Sequence, residues 1–108
     1  MSNVSQITPA ELKQQLEAGT SCCILDVREG WEVAIARLPE ALHIPLSEIP
    51  ARLKELDAQS SIIVMCKAGG RSQRAADFLA ARGFTKVANL RGGIDAWARD
   101  VDPSMPTY

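Results

Sequence analysis

The sequence is poor in most of what would advertise a specialised partner. It has no excess of charge: twelve Lys and Arg stand against thirteen Asp and Glu, a formal net charge of −1. Proteins that grip nucleic acid or an anionic membrane surface carry a basic surplus, so neither partner is expected. No window approaches the ~20 consecutive apolar residues of a membrane span. The opening segment MSNVSQITPAEL lacks both the basic start and the apolar stretch of a secretory signal. Histidine occurs once, as His43 in the apolar piece ALHIP, which favours a structural role over a catalytic one. Cysteine is sparse and odd in number, with Cys22 and Cys23 adjacent and Cys66 apart. A secreted disulfide scaffold needs an even set at wider spacing, and adjacent cysteines do not make a zinc pair. A reducing, cytoplasmic setting with no metal and no cofactor is therefore expected.

What is present is alternation. Thr8 caps a helix with Pro9 at its first position and Glu11 completing a capping box, and Gly19 is its natural stop. CCILDV (22–27) reads as a strand buried on both faces. REGWEVAIARL forms a short helix ended by Pro39, ALHIP a second strand, and LSEIPARLKEL a helix capped by Ser47. Ile62 to Met65 is a fully apolar strand, SQRAADFLAARG a helix closed by Gly83, and KVANL (86–90) a last short strand. GGIDAWARD supplies a final helical turn or two with Trp97 anchoring it in the core, and 101–108 is an irregular tail. The pattern predicts an α/β protein, a parallel sheet covered by helices, in one domain over residues 1–108. Ligands of such sheets bind at the carboxyl ends of strands. LDVRE and MCKAGGRS both lie at such ends, so one crevice is expected between them.

The stretch from Cys66 to Ser72 is where the chemistry concentrates. The first amides of a helix have no intrahelical partner, and Gly69 and Gly70 let neighbouring N–H groups turn toward one point. Lys67 and Arg71 add positive charge beside Ala68 and the glycines. A thiol in such a cradle titrates well below its usual ~8.5, at roughly 3.5–7.5. The cradle would stabilise any anion on that sulfur, a persulfide included, without a metal or a histidine base. A phosphate-binding P-loop does not fit, because the lysine precedes the glycines. Cys22 and Cys23 read instead as small core residues. They start a strand, point to opposite faces, and so cannot both approach Cys66.

CKAGGRS, preceded by ILDVREGWE and followed by FLAARGFTKVANLRGGIDAW, closely resembles the rhodanese (sulfurtransferase) family from about residue 5 to the end. The motifs are DVRE-x-W-E, C-x-x-G-x-R-S and L-x-GG-x-x-x-W, in that order. The resemblance implies a five-stranded, mainly parallel sheet with helices on both faces. It further implies a Cys66 persulfide that takes sulfane sulfur from a donor such as thiosulfate. The acceptor is cyanide in an assay and a thiol or protein in the cell. Cys66 matches the catalytic cysteine, and Lys67, Ala68, Gly69, Gly70, Arg71 and Ser72 match the anion-holding loop. Asp26 is expected to tie down backbone or Arg71, and Arg28 to shape the cleft. Trp31 either lines that cleft or covers the sheet. Arg74 and Arg82 are expected to be solvated.

Related phosphatases and arsenate reductases carry five residues between cysteine and arginine, whereas this loop has four, Lys67 to Gly70, which favours sulfur. The family's G-H-I-P-G-A turn is replaced by Ala36-Arg37-Leu38-Pro39-Glu40-Ala41, predicting a stiffer turn with Arg37 near the crevice. The tail VDPSMPTY resembles the ending of rhodanese domains fused behind adenylating enzymes, whose acceptor is a small ubiquitin-like sulfur carrier. Sulfur delivery to such a carrier is thus an alternative reading. A regulatory binding module is another, although that class usually loses the cysteine.

Overall fold

In the computed structural model, which describes residues 4–108, five strands form one sheet. They are β1 (Ser5–Ile7), β2 (Cys23–Asp26), β3 (Leu42–His43), β4 (Ile62–Met65) and β5 (Val87–Leu90), in the order β1-β5-β4-β2-β3. Every pairing is parallel. Apolar patterning does not reveal β1: its first two residues, Ser5 and Gln6, are exposed on an edge, and only Ile7 is buried. The four other strands are legible from their composition.

Adjacent strand residues point to opposite faces, and the core divides accordingly. Leu25, Ile62 and Val64 pack with Ala75, Ala76 and Leu79 of α3 (Gly70–Ala81) on one face. On the other, Ile24, Ile63 and Met65 pack with Leu12 of α1 (Pro9–Glu17) and with Ile94 and Trp97 of α4 (Gly93–Asp100). Because both faces are covered, the central strand β4 has no polar residue at all. Each fully buried Leu or Ile of these clusters contributes about 1.5–3 kcal/mol. The capping box of α1 forms as expected, with Glu11 N–H donating to Thr8 Oγ1 at 3.2 Å and Thr8 N–H to Glu11 Oε1 at 2.8 Å.

The segment LSEIPARLKEL departs from its expected form. It is not one helix capped by Ser47 but two 3₁₀ pieces, Leu46–Glu48 and Pro50–Glu55. Pro50 has no N–H to donate to Leu46, so an α ladder cannot run through it. Arg52 then leaves helical angles at φ −115°. Buried Ile49 pins the junction to the core.

The topology sets the site. β2 and β4 are neighbours with Asp26 opposite Met65, and Val27 N–H donates to Met65 O at 3.0 Å. The ends of LDVRE and MCKAGGRS therefore meet, as their strand-end positions require. A short helix, α2 (Gly30–Ile35), follows β2 and stands over that junction.

Candidate active site

Cys66 leaves the sheet directly after β4, and α3 begins at Gly70, so the intervening residues must reverse direction in very little chain. Gly69 does this at φ +109°, where any side chain would be strained. The result turns the Gly69 N–H onto Cys66 Sγ at 3.1 Å, with Ser72 Oγ 3.3 Å from the same sulfur. Cys66 is only 1% exposed. Burial alone pushes its thiol up. The Ser72 hydroxyl and the amides of Ser72, Gly69 and Ala68 outweigh that and hold it below the ordinary thiol value.

The loop's carbonyls are disposed of on the other side. Ile94 N–H donates to Cys66 O at 2.9 Å and Asp95 N–H to Lys67 O at 3.0 Å, so the first turn of α4 caps the loop. Gly93, at φ +59°, makes this contact feasible: a Cβ there would fall 2.5 Å from Cys66 O. One helix start thus absorbs the carbonyls while the other presents amides to the sulfur.

The two cations behave differently from expectation. Arg71 does not face the sulfur as a free charge but grips Glu32 of α2 bidentately, at 2.7 and 2.8 Å. Lys67 pairs with Asp95 at 2.9 Å. The polarisation of Cys66 therefore comes chiefly from hydrogen bonds. Glu32, the last residue of the DVRE-x-W-E motif, is a site residue that sequence reasoning misses. Its partner lies 39 residues away, and nothing local marks the pairing. Its carboxylate is 4% exposed and receives four donors: two from Arg71, the Glu29 N–H at 2.8 Å and the Tyr108 hydroxyl at 2.9 Å. The Arg71 fork above all, against the opposing effect of burial and with help from Glu29 and Tyr108, lowers its pKa to about 2.

Asp26 and Arg28 are brought to the site's floor rather than its lining. Asp26 ties down backbone, accepting from Arg28 N–H at 3.1 Å, but it does not bind Arg71. Its ion pair is with Arg28, Nη2 to Oδ2 at 2.7 Å. Arg28, expected to shape the cleft, is wholly buried and donates to Glu32 O at 3.3 Å and Ala36 O at 2.7 Å, closing the last turn of α2. Trp31 does not cover the sheet: it is 63% exposed, its ring 5.7 Å edge-on from that of Tyr108.

Tyr108 is the second residue that pattern reading missed. The irregular tail carries it back so that its hydroxyl also accepts from Arg28 Nη1 at 3.0 Å and its ring lies 5.0 Å from Lys67 Nζ. His43 Nε2 bonds Arg28 O at 2.6 Å, a structural contact. Arg37 lies not on the loop but in a recess between α2 and tail residues Met105 and Pro106. Cys22 and Cys23 sit at the amino ends of the strands, beside Ser61 and Lys86, and pack against opposite faces. Burial raises both thiols. Arg74 and Arg82 are exposed.

The rhodanese-like domain family matches residues 8–100. A sulfurtransferase of Allochromatium vinosum is 36% identical, with 89% of this chain covering 90% of that one. The maize adenylyltransferase and sulfurtransferase MOCS3-1 is 37% identical over 96% of this chain, which spans only 24% of that protein's length. The solved structure of a rhodanese-like domain protein from Staphylococcus aureus superposes with a TM-score of 0.82 at 33% identity, covering 87% of this chain and 91% of the other.

Proposed function

The chain belongs to the rhodanese-like domain family, and from that membership we propose that it transfers sulfane sulfur through a persulfide on Cys66, with thiosulfate as a competent donor. The Cys66 thiolate attacks the outer sulfur of thiosulfate. The donor's S–S bond breaks, sulfite leaves with the electron pair, and a Cys66 persulfide remains. Cyanide, a thiol or a protein nucleophile then attacks the outer sulfur and the thiolate is restored. Each step exchanges one sulfur bond for another, so no external oxidant or reductant is consumed.

The observation that carries this reading is the cradle itself: Gly69 N–H and Ser72 Oγ converge within 3.3 Å of a nearly buried sulfur, with the loop's carbonyls tied away by α4. Such a cradle stabilises charge on sulfur through preorganised donors and requires no base. Two features favour sulfur over a phosphate ester. The loop has four residues between Cys66 and Arg71, and the Arg71 fork that would clasp an oxyanion already holds Glu32. Delivery to a small protein carrier is a choice of acceptor within the same chemistry, supported by the likeness to MOCS3-1.

Intact-mass analysis after thiosulfate treatment tests the reading. One reducible sulfur atom is expected on the protein, mapping to Cys66. Cys66→Ala should lose both the adduct and thiocyanate formation from cyanide. Continued turnover by that variant would disprove the assignment.

A further inference from the structure

Ser72 has one hydroxyl proton and two acceptors within reach. Its Oγ lies 2.5 Å from Asn89 Oδ1 and 3.3 Å from Cys66 Sγ. Ser72 is wholly buried and Asn89, on β5, is 4% exposed, so neither group can turn to bulk solvent instead. The orientation of the Asn89 amide is fixed from its far side. Its Nδ2 donates to Gly69 O at 3.3 Å and to Gln6 Oε1 at 3.1 Å, and a backbone carbonyl can only accept. Oδ1 must then face Ser72, and it requires the Ser72 proton.

That fixes a direction. With Cys66 as a thiol, S–H donates to Ser72 Oγ and Oγ–H donates to Asn89 Oδ1. A thiolate needs the first link reversed, with Oγ–H turned onto sulfur. A buried amide oxygen then loses its donor, which opposes the change.

We propose that Asn89 is a positioning residue that competes with the Cys66 thiolate for the single Ser72 proton. The hydroxyl turns onto sulfur in the free thiolate and returns to Asn89 when the charge moves to the outer sulfur of a persulfide. The second half of this cycle rests on the persulfide reading, and the first half does not. The competition keeps the thiol from becoming too acidic. An over-stabilised thiolate is a weak nucleophile, and attack is fastest when the thiol titrates near ambient pH. The other charged or titratable groups around Cys66 are Arg71 with Glu32, Lys67 with Asp95, Tyr108, and the Asp26–Arg28 pair at the neighbouring strand end. Asn89 hydrogen-bonds to none of them.

The test follows iodoacetamide alkylation of the Cys66 peptide against pH in wild type, Asn89→Leu, Ser72→Ala and the double variant. Asn89→Leu should lower the midpoint by about half to one pH unit, the value of the one neutral hydrogen bond that the thiolate no longer has to break. Ser72→Ala should raise it, and in that background Asn89→Leu should have no further effect. A midpoint unmoved or raised by Asn89→Leu, or an equal shift in both backgrounds, overturns the proposal. The unmodified protein supplies a second readout, the Asn89 side-chain ¹³Cγ resonance. It should follow the Cys66 titration and return toward its thiol position after thiosulfate loading. A resonance that stays flat through the titration overturns the competition. One that titrates but does not return on the loaded protein overturns the second half alone. Failure of thiosulfate to load Cys66 counts against the persulfide, while the titration still decides the role of Asn89.

Discussion

At the scale of single residues, the two loop cations are chemically similar and structurally unequal. Arg71 is 34% exposed but holds a carboxylate that is 4% exposed, whereas Lys67 and Asp95 are each more than a third exposed. Removing Arg71 strands a buried charge, at a cost of about 2–3 kcal/mol, less than for a wholly buried pair because the guanidinium is partly solvated. It also unpins α2 from α3, and a displacement of the loop by an ångström costs on the order of a hundredfold in rate. Lys67→Ala should cost at most about 1 kcal/mol and less than about fivefold. Thiosulfate:cyanide turnover and urea unfolding of both variants decide the matter, and equal losses would refute the ranking. Cys66 and its loop could be read from the chain because glycine, arginine and serine at a helix start are local chemistry. Glu32 could not be assigned a partner, since a bidentate pair across 39 positions leaves no local trace. The same reason hid Asn89, whose importance depends on one neighbour on α3 and another on β1.

At the scale of elements, the site is a contact between two helix starts, and Gly93 is the hinge of that contact. Alanine there would adopt φ +59° at a cost of about 1–3 kcal/mol and drive its Cβ into the Cys66 and Lys67 carbonyls, which are backbone and cannot step aside. Gly93→Ala should therefore destabilise the fold by at least ~2 kcal/mol, and Cys66 in the remaining folded protein should alkylate like an ordinary thiol. Gly30→Ala is the control, because nothing lies within 4 Å of its would-be side chain. Matching melting curves for the two variants would show that α4 does not shape the loop. The alternation of strands and helices was legible because buried parallel strands are short apolar runs and helices carry caps. The 3₁₀ pieces at 46–55 were not, because Leu46, Ile49 and Leu53 keep helical spacing while Pro50 removes the bond that spacing presumes.

At the scale of the whole molecule, Glu32 gathers α2, Arg71 of α3 and Tyr108 of the tail onto one carboxylate, so its ionisation is a property of the fold. Its folded pKa of about 2 lies below the ~4.3 of an unfolded chain. A depressed carboxyl contributes stability that is complete above ~4.3 and lost as pH falls toward 2. Glu32→Gln should therefore be less stable than wild type at neutral pH, with the gap closing across that acid window in urea titrations. A gap that persists to the acid end would contradict the charge pairing. The tail's part in this lay beyond sequence reading, because VDPSMPTY has no periodicity and its one informative side chain acts only where the chain returns to α2. Among the described residues the edge strand β1 pairs only with β5, and its Gln6 meets Asn89 across 83 positions. On the ribosome β1 emerges before the other four strands, yet it can be placed only after β5 has been made. Closing so long a loop is among the later entropic steps of assembly. The α4 amides that hold the loop's carbonyls are synthesised later still. A nascent chain thus carries Cys66 as a plain thiol until α4 has emerged and docked on the loop.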